Sequence, residues 1–145
     1  YFHGSAYQVL EQVWASNGSL IGRMPLEMPA NHEPAHLPTV IDPRWIELCL
    51  QTAGVWEIGK KGVMALPGGI DRLTAVAARR PTGAVQAVVT RGADADSFDA
   101  FVADESGAVL VSLEGYRTVA LPGGIDDQRR GPLASVLASA SERSN

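Results

Sequence analysis

The feature that most constrains this chain is one run of fifteen residues, 43–57. Asp42-Pro43 offers a helix N-cap followed by a proline at the first helical position. Trp45, Ile46, Cys49, Leu50, Ala53 and Trp56 then recur at helical spacing. Every residue of 43–57 except Pro43 and Gly54 suits a helix, and Gly59-Lys60-Lys61-Gly62 ends it. A helix this apolar has to be covered on most of its sides.

The period changes on both sides of it. Residues 7–14 fit helix or strand; a strand is favoured, because Asn17-Gly18 reads as a hairpin turn into an extended run over 19–28. Pro29, Pro34 and Pro38 mark 29–38 as an irregular connection. After Gly62, the runs 63–66, 73–77, 84–91, 97–103, 109–113 and 116–121 read as strands. Turn clusters separate them at 81–83, 92–96 and 104–107. Residues 126–145 read as an exit linker with a short helix near 133–140, which leaves 1–125 as the folded domain. The expected architecture is α+β: a single hot-dog fold, an antiparallel sheet wrapped around one long central helix.

Composition narrows the function. The chain has 145 residues, one domain's worth, and is 46% hydrophobic, enough for a core. A net charge of -4 argues against a nucleic-acid partner. No apolar run reaches the ~18–20 residues of a membrane span. The lone cysteine, Cys49, allows neither an internal disulfide nor a cysteine-based zinc site, and suits a reducing cytoplasm. Tyr1-Phe2-His3-Gly4 is neither an initiation site nor a signal peptide, so a piece of a larger polypeptide is expected.

Several motifs invite a chemical reading. His32-Glu33-Pro34-Ala35-His36 matches the H-E-x-x-H zinc pattern, which needs both histidines one turn apart on a helix. Pro34 forbids that helix, so a loop with solvent-facing histidines is expected. Ala-Leu-Pro-Gly-Gly-Ile-Asp occurs twice, at 65–71 and 120–126, and is read as local turn chemistry that ends or bends a strand. Lys60-Lys61 and Arg79-Arg80 read as solvated ends of turns. Trp14, Trp45 and Trp56 read as core or interface, and Cys49 as a small buried hydrophobe. Glu47 stands on the apolar helix with Gln51 one turn on and Gly54 on the same stripe. A carboxylate there is either a working group or a half-exposed residue, solvated or paired with Arg44; spacing leaves both open.

Two stretches, Tyr1-Phe2-His3-Gly4-Ser5-Ala6-Tyr7-Gln8-Val9-Leu10 and Asp42-Pro43-Arg44-Trp45-Ile46-Glu47-Leu48-Cys49-Leu50-Gln51, together resemble the dehydratase domains of polyketide synthases. The opening run from Tyr1 to Leu10 is similar to the Tyr-x-Gly-Pro-x-Phe-Gln segment that begins the second half of those domains. The run from Asp42 to Gln51 is similar to their His-Pro-x-Leu-Leu-Asp-Ala-x-Leu-Gln helix, and the run from Phe101 to Gly115 to their closing strands. The family's domains carry two hot dogs in one chain, the first giving a catalytic His from His-x-x-x-Gly-x-x-x-x-Pro and the second a helix carboxylate. The resemblance thus implies the second, C-terminal half, and its Glu suggests an iterative synthase of enediyne or polyunsaturated-fatty-acid type. Glu47 replaces the usual Asp, Ser5 the Pro and Asp42 the His, and no His-x-x-x-Gly-x-x-x-x-Pro occurs in these 145 residues. His3, His32 and His36 do not match that position, so none is assigned as the base.

The implied reaction is loss of water from a 3-hydroxyacyl group on an acyl carrier protein. A base takes the proton beside the thioester carbonyl and a neutral acid protonates the leaving hydroxyl. The resemblance makes Glu47 and Gln51 the catalytic candidates, and Tyr1, His3, Gly4, Tyr7, Gln8 and Gly54 the substrate-binding ones. It implies no intrinsic cofactor and no metal, the substrate arriving on phosphopantetheine. Its partners would be the missing N-terminal half and the carrier protein, with a homodimer expected in the mate's absence. Two other readings keep the fold: a homodimeric single hot-dog thioesterase, and a non-catalytic docking half-domain.

Overall fold

The computed structural model describes residues 3–37, 39–76, 80–94 and 96–141. Its central element is helix α1, Pro43–Lys61. The Asp42 carboxylate accepts from the Arg44 N–H at 3.0 Å, and Pro43 takes the first turn, where its missing N–H costs nothing. Gly62 ends the helix in the left-handed conformation, φ 66°, donating to the Ile58 carbonyl. The helix runs one turn beyond the expected 57. Lys60 and Lys61 therefore lie in its last turn, where they favour the helix dipole, rather than in a turn. Arg79 lies outside the described residues.

Among the described residues seven antiparallel strands form one sheet: β1 Gln12–Ser16, β2 Ser19–Arg23, β3 Val63–Gly69, β4 Arg72–Ala75, β5 Val85–Arg91, β6 Ser97–Asp104 and β7 Val109–Gly124. Their order is β1-β2-β5-β6-β7-β3, with β4 also on β7. Asn17 and Gly18 both have positive φ, the two-residue hairpin that carries β1 into β2. The first strand starts later than the expected 7, because Ser5–Tyr7 form a 3-10 turn. The strands expected at 109–113 and 116–121 are one strand, β7. Gly115, φ 63°, makes a bulge there rather than a turn, and its N–H donates to the Asp99 carboxylate at 2.9 Å. β4 pairs with the first half of β7 and β3 with the second.

Alternate residues of β5 and β6, Val85, Ala87, Val89 and Phe98, Ala100, Val102, face α1. They enclose Trp45, Leu48, Cys49 and Ala53 of the helix, and Leu110, Leu113 and Tyr116 of β7 complete the core. Gly22 lets β2 come close: a Cβ there would lie within van der Waals overlap of the Thr52 hydroxyl. This is the expected α+β hot dog, a sheet wrapped around one central helix. Trp56 packs against the same core, edge-on to Phe98.

A second helix, α2 Asp127–Ser141, is longer than the short helix expected near 133–140. It lies against α1 and β1 and buries Leu137 to 3% exposure beside Val55 and Leu20. β3 and β7 both end on the second glycine of the repeated heptapeptide, Gly69 and Gly124. Within the first copy Asp71 pairs with Arg117, and within the second the Ile125 N–H donates to the Gly62 carbonyl. The copies meet at their first residues, Ala65 opposite Ala120 in the β3–β7 ladder, and otherwise make different local contacts.

Candidate functional site

α1 places Glu47 and Gln51 one turn apart on the same face, as their spacing requires. The Gln51 amide nitrogen donates to Glu47 Oε1 at 2.8 Å and to the Tyr7 carbonyl at 2.7 Å. Both of its N–H groups are so used, and Gln51 is 7% exposed. Arg44 does not reach Glu47: its guanidinium holds the Asp42 carboxylate and the Pro29 carbonyl. Of the open alternatives for Glu47, pairing with Arg44 does not occur.

The N-terminal segment crosses this face of the helix. The Tyr7 N–H donates to the Gly4 carbonyl, closing the turn that brings the chain back over α1. Gln8 donates to the His3 carbonyl at 3.3 Å. His3 Nε2 then lies 3.1 Å from Glu47 Oε1, with the two side chains 34% and 18% exposed. The structure therefore brings together Glu47, Gln51, His3, Tyr7 and Gln8. Gly4 supports the turn, Gly54 is buried inside α1, and Tyr1 lies outside the described residues. The imidazole–carboxylate contact was missed by sequence reasoning, which set His3 among the substrate-binding residues without pairing it with Glu47. Forty-four positions separate the two, and no local pattern spans them.

Chemically, the arrangement is a half-buried carboxyl group with one oxygen held from two sides. Both of these contacts fall on Oε1. The other motifs do not join it. Residues 31–37 are not helical, and the two ring nitrogens of His32 lie 2.7 Å from Asn31 Oδ1 and 2.7 Å from the Leu37 carbonyl. Among the described residues no three His, Cys, Asp or Glu side chains are grouped to hold a metal. Cys49 points into the core, where burial pushes its thiol up to about 12. Among the described residues no helix is long and apolar enough to cross a membrane.

The sequence model of one family, the polyketide synthase dehydratase N-terminal domain, matches residues 1–128. The chain belongs to the polyketide synthase dehydratase family. Solved structures agree on the fold. The dehydratase domain from the CurF module of curacin polyketide synthase superposes with a TM-score of 0.64 at 24% identity, covering 82% of this chain and 42% of that one. A dehydratase domain of a trans-AT polyketide synthase from Brevibacillus brevis gives 0.66 at 19% identity, over 82% and 42%. The erythromycin dehydratase gives 0.58 at 20% identity, over 81% and 38%. This dehydratase-family chain thus spans less than half the length of the structures it resembles. No curated protein sequence matches it.

Proposed function

We propose that this chain is the second hot-dog half of a polyketide synthase dehydratase, and that Glu47 is its general acid. The observation that carries this reading is the Glu47 carboxyl group, fixed on the central helix by Gln51 at 2.8 Å. The description of the matching family model names an N-terminal domain, so the choice of half rests on the helix carboxylate and on the Glu47–Gln51 spacing. The substrate is a 3-hydroxyacyl thioester carried on phosphopantetheine of an acyl carrier protein, and the chemistry needs no further cofactor. A histidine from the mate removes the proton beside the carbonyl. Glu47 gives its proton, from Oε2, to the leaving 3-hydroxyl, and the products are the 2-enoyl thioester and water. Gln51 holds the carboxyl orientation, while Gly4, Tyr7 and Gln8 shape the approach. A cytoplasmic location follows from such a synthase.

An uncovered edge supports a mate. The sheet ends at β3, where Leu66 stands opposite Val119, and the two are 49% and 60% exposed. The mate is the N-terminal half, or a second copy of this chain when that half is absent.

Glu47→Gln keeps the size and removes the transferable proton. In the full-length protein, dehydration of a 3-hydroxyacyl carrier protein should fall by roughly 10²–10⁴-fold with the fold intact. Glu47→Asp should retain more activity than Glu47→Gln. A wild-type rate in Glu47→Gln refutes the assignment. Hydrolysis of the thioester in place of dehydration would identify a hot-dog thioesterase instead.

A further inference from the structure

A cleft of about 370 Å³ opens beside the Glu47 trio. Its α1 wall consists of Gln51, Val55 and Ile58, spaced i, i+4 and i+7 along one face of the helix. Leu10 lies across from them, and Leu133 of α2 belongs to the same lining. The polar groups, His3, Gln8 and Gln51, share the cleft with four aliphatic side chains. Two of those polar groups, His3 and Gln51, are the ones in contact with Glu47. From Gln51 the wall descends seven residues of helix, about 10 Å at 1.5 Å per residue.

We infer that this cleft takes the acyl chain of the substrate, and that Leu133 of α2 limits how long that chain can be. The inference rests on the reading of Glu47 as the dehydratase acid and adds an occupant and a length rule to it. A thioester whose 3-hydroxyl meets Glu47 has its alkyl tail continuing away from the carboxylate. The Val55–Ile58 face is an apolar surface in the same cleft as His3 and Gln51, and about 10 Å of it accommodates an extended chain of roughly eight carbons. The dimensions are those of a small-molecule site with a few polar groups at one end. α2 is then part of the substrate site. Its close approach is built into α1, because Gly59 leaves space that a Cβ would fill against Leu137 and the Leu133 carbonyl.

The test uses the full-length protein and two readouts. Uncleavable acyl-pantetheine amides of four and eight carbons are titrated by calorimetry, which needs no catalysis. The eight-carbon amide should bind roughly 250-fold tighter, from about fourfold for each of the additional buried methylenes. Leu133→Trp should abolish that advantage and leave the four-carbon amide unchanged. Leu133→Ala should shift the preference to longer chains, and it serves if the tryptophan variant does not fold. In parallel, kcat/KM for dehydration is measured across a 3-hydroxyacyl series from four to twelve carbons. The same length-dependent change should appear there, and a uniform fall or no change in either variant overturns the inference. If the amides bind with the expected pattern but no substrate is dehydrated, the cleft stands and the dehydratase reading fails. If dehydration proceeds but both Leu133 variants treat all lengths alike, the cleft assignment fails and the dehydratase reading stands.

Discussion

Gly59 tests whether α2 is seated where its contacts place it. In most helices Gly→Ala in the interior stabilises by about 1 kcal/mol. Here a Cβ would lie 2.4 Å from the Leu137 Cδ1 methyl and 3.1 Å from the Leu133 carbonyl oxygen. The methyl can swing aside. The carbonyl belongs to the backbone of α2 and cannot, so the helix itself must withdraw. Overpacking of this kind costs about 1–3 kcal/mol. Withdrawal also uncovers part of Leu137, whose full burial contributes about 1.5–3 kcal/mol. Set against the gain of about 1 kcal/mol from helix propensity, the clash wins, and a net loss of about 1 kcal/mol is expected, concentrated in α2. Hydrogen exchange of the full-length protein reads this directly. Amides of residues 127–141 in Gly59→Ala should exchange about fivefold faster, with those of β5 and β6 unchanged. Leu137→Ala should loosen the same helix by about 2–5 kcal/mol. Because it removes one of the two colliding groups, the two changes together should cost less than their sum. Slower exchange of α2 in Gly59→Ala would refute the packing argument, since propensity would then have outweighed a clash that was not there.

The remaining predictions concern two titratable groups. Asp104 is held down to about 2, first by the Ser106 hydroxyl and then by N–H groups of Thr82, Ala108 and Ser106. A depressed carboxylate adds stability that is complete above its unfolded value of about 3.9 and is lost as pH falls towards 2. Acid unfolding followed by circular dichroism should therefore lose part of its dependence between pH 4 and pH 2 in Asp104→Asn, and an unchanged profile would contradict this. Cys49, wholly buried with its thiol pushed up to about 12, should resist a disulfide reagent at pH 8 in the folded protein and react at once in 6 M urea. Rapid labelling of the native protein would show that the core opens.

What the sequence made legible follows the range over which each physical signal acts. α1 was readable because its cap, its proline and its apolar stripe all lie within twenty residues. The Asn17-Gly18 hairpin was readable because the turn chemistry is local. β7 was divided in error at Gly115, where a glycine between apolar runs looks like a turn. The Asp99 carboxylate, sixteen residues away, accepts the Gly115 N–H and helps hold it as a bulge inside a continuous strand. The extent of α2 was underestimated for a similar reason. Its sequence is rich in serine and alanine with a proline inside, a weak helix by propensity. Tertiary contact supplies the rest: Leu137 closes against Val55 and Leu20, over a glycine in another helix that permits the approach.

The site divides along the same line. Glu47 and Gln51 were visible as a pair because four residues on a helix are neighbours in space. The third member, His3, becomes a neighbour only when the opening segment folds back, and Gln51 is what fixes it there. One amide holds both the Glu47 carboxyl at 2.8 Å and the Tyr7 carbonyl at 2.7 Å, so the carboxyl orientation and the position of the opening segment are set by a single side chain. His3 reaches the same oxygen, Oε1, as that amide does. Two nitrogens on one oxygen leave the carboxyl little freedom to rotate, and its other oxygen is presented in one direction. A glutamate has one more rotatable bond than an aspartate, and so more orientational entropy to lose when its carboxyl is held in one place. The contacts from Gln51 and from the folded-back segment restrict that freedom, which, under the proposed reading of Glu47 as the acid, would let the longer side chain take the shorter one's place.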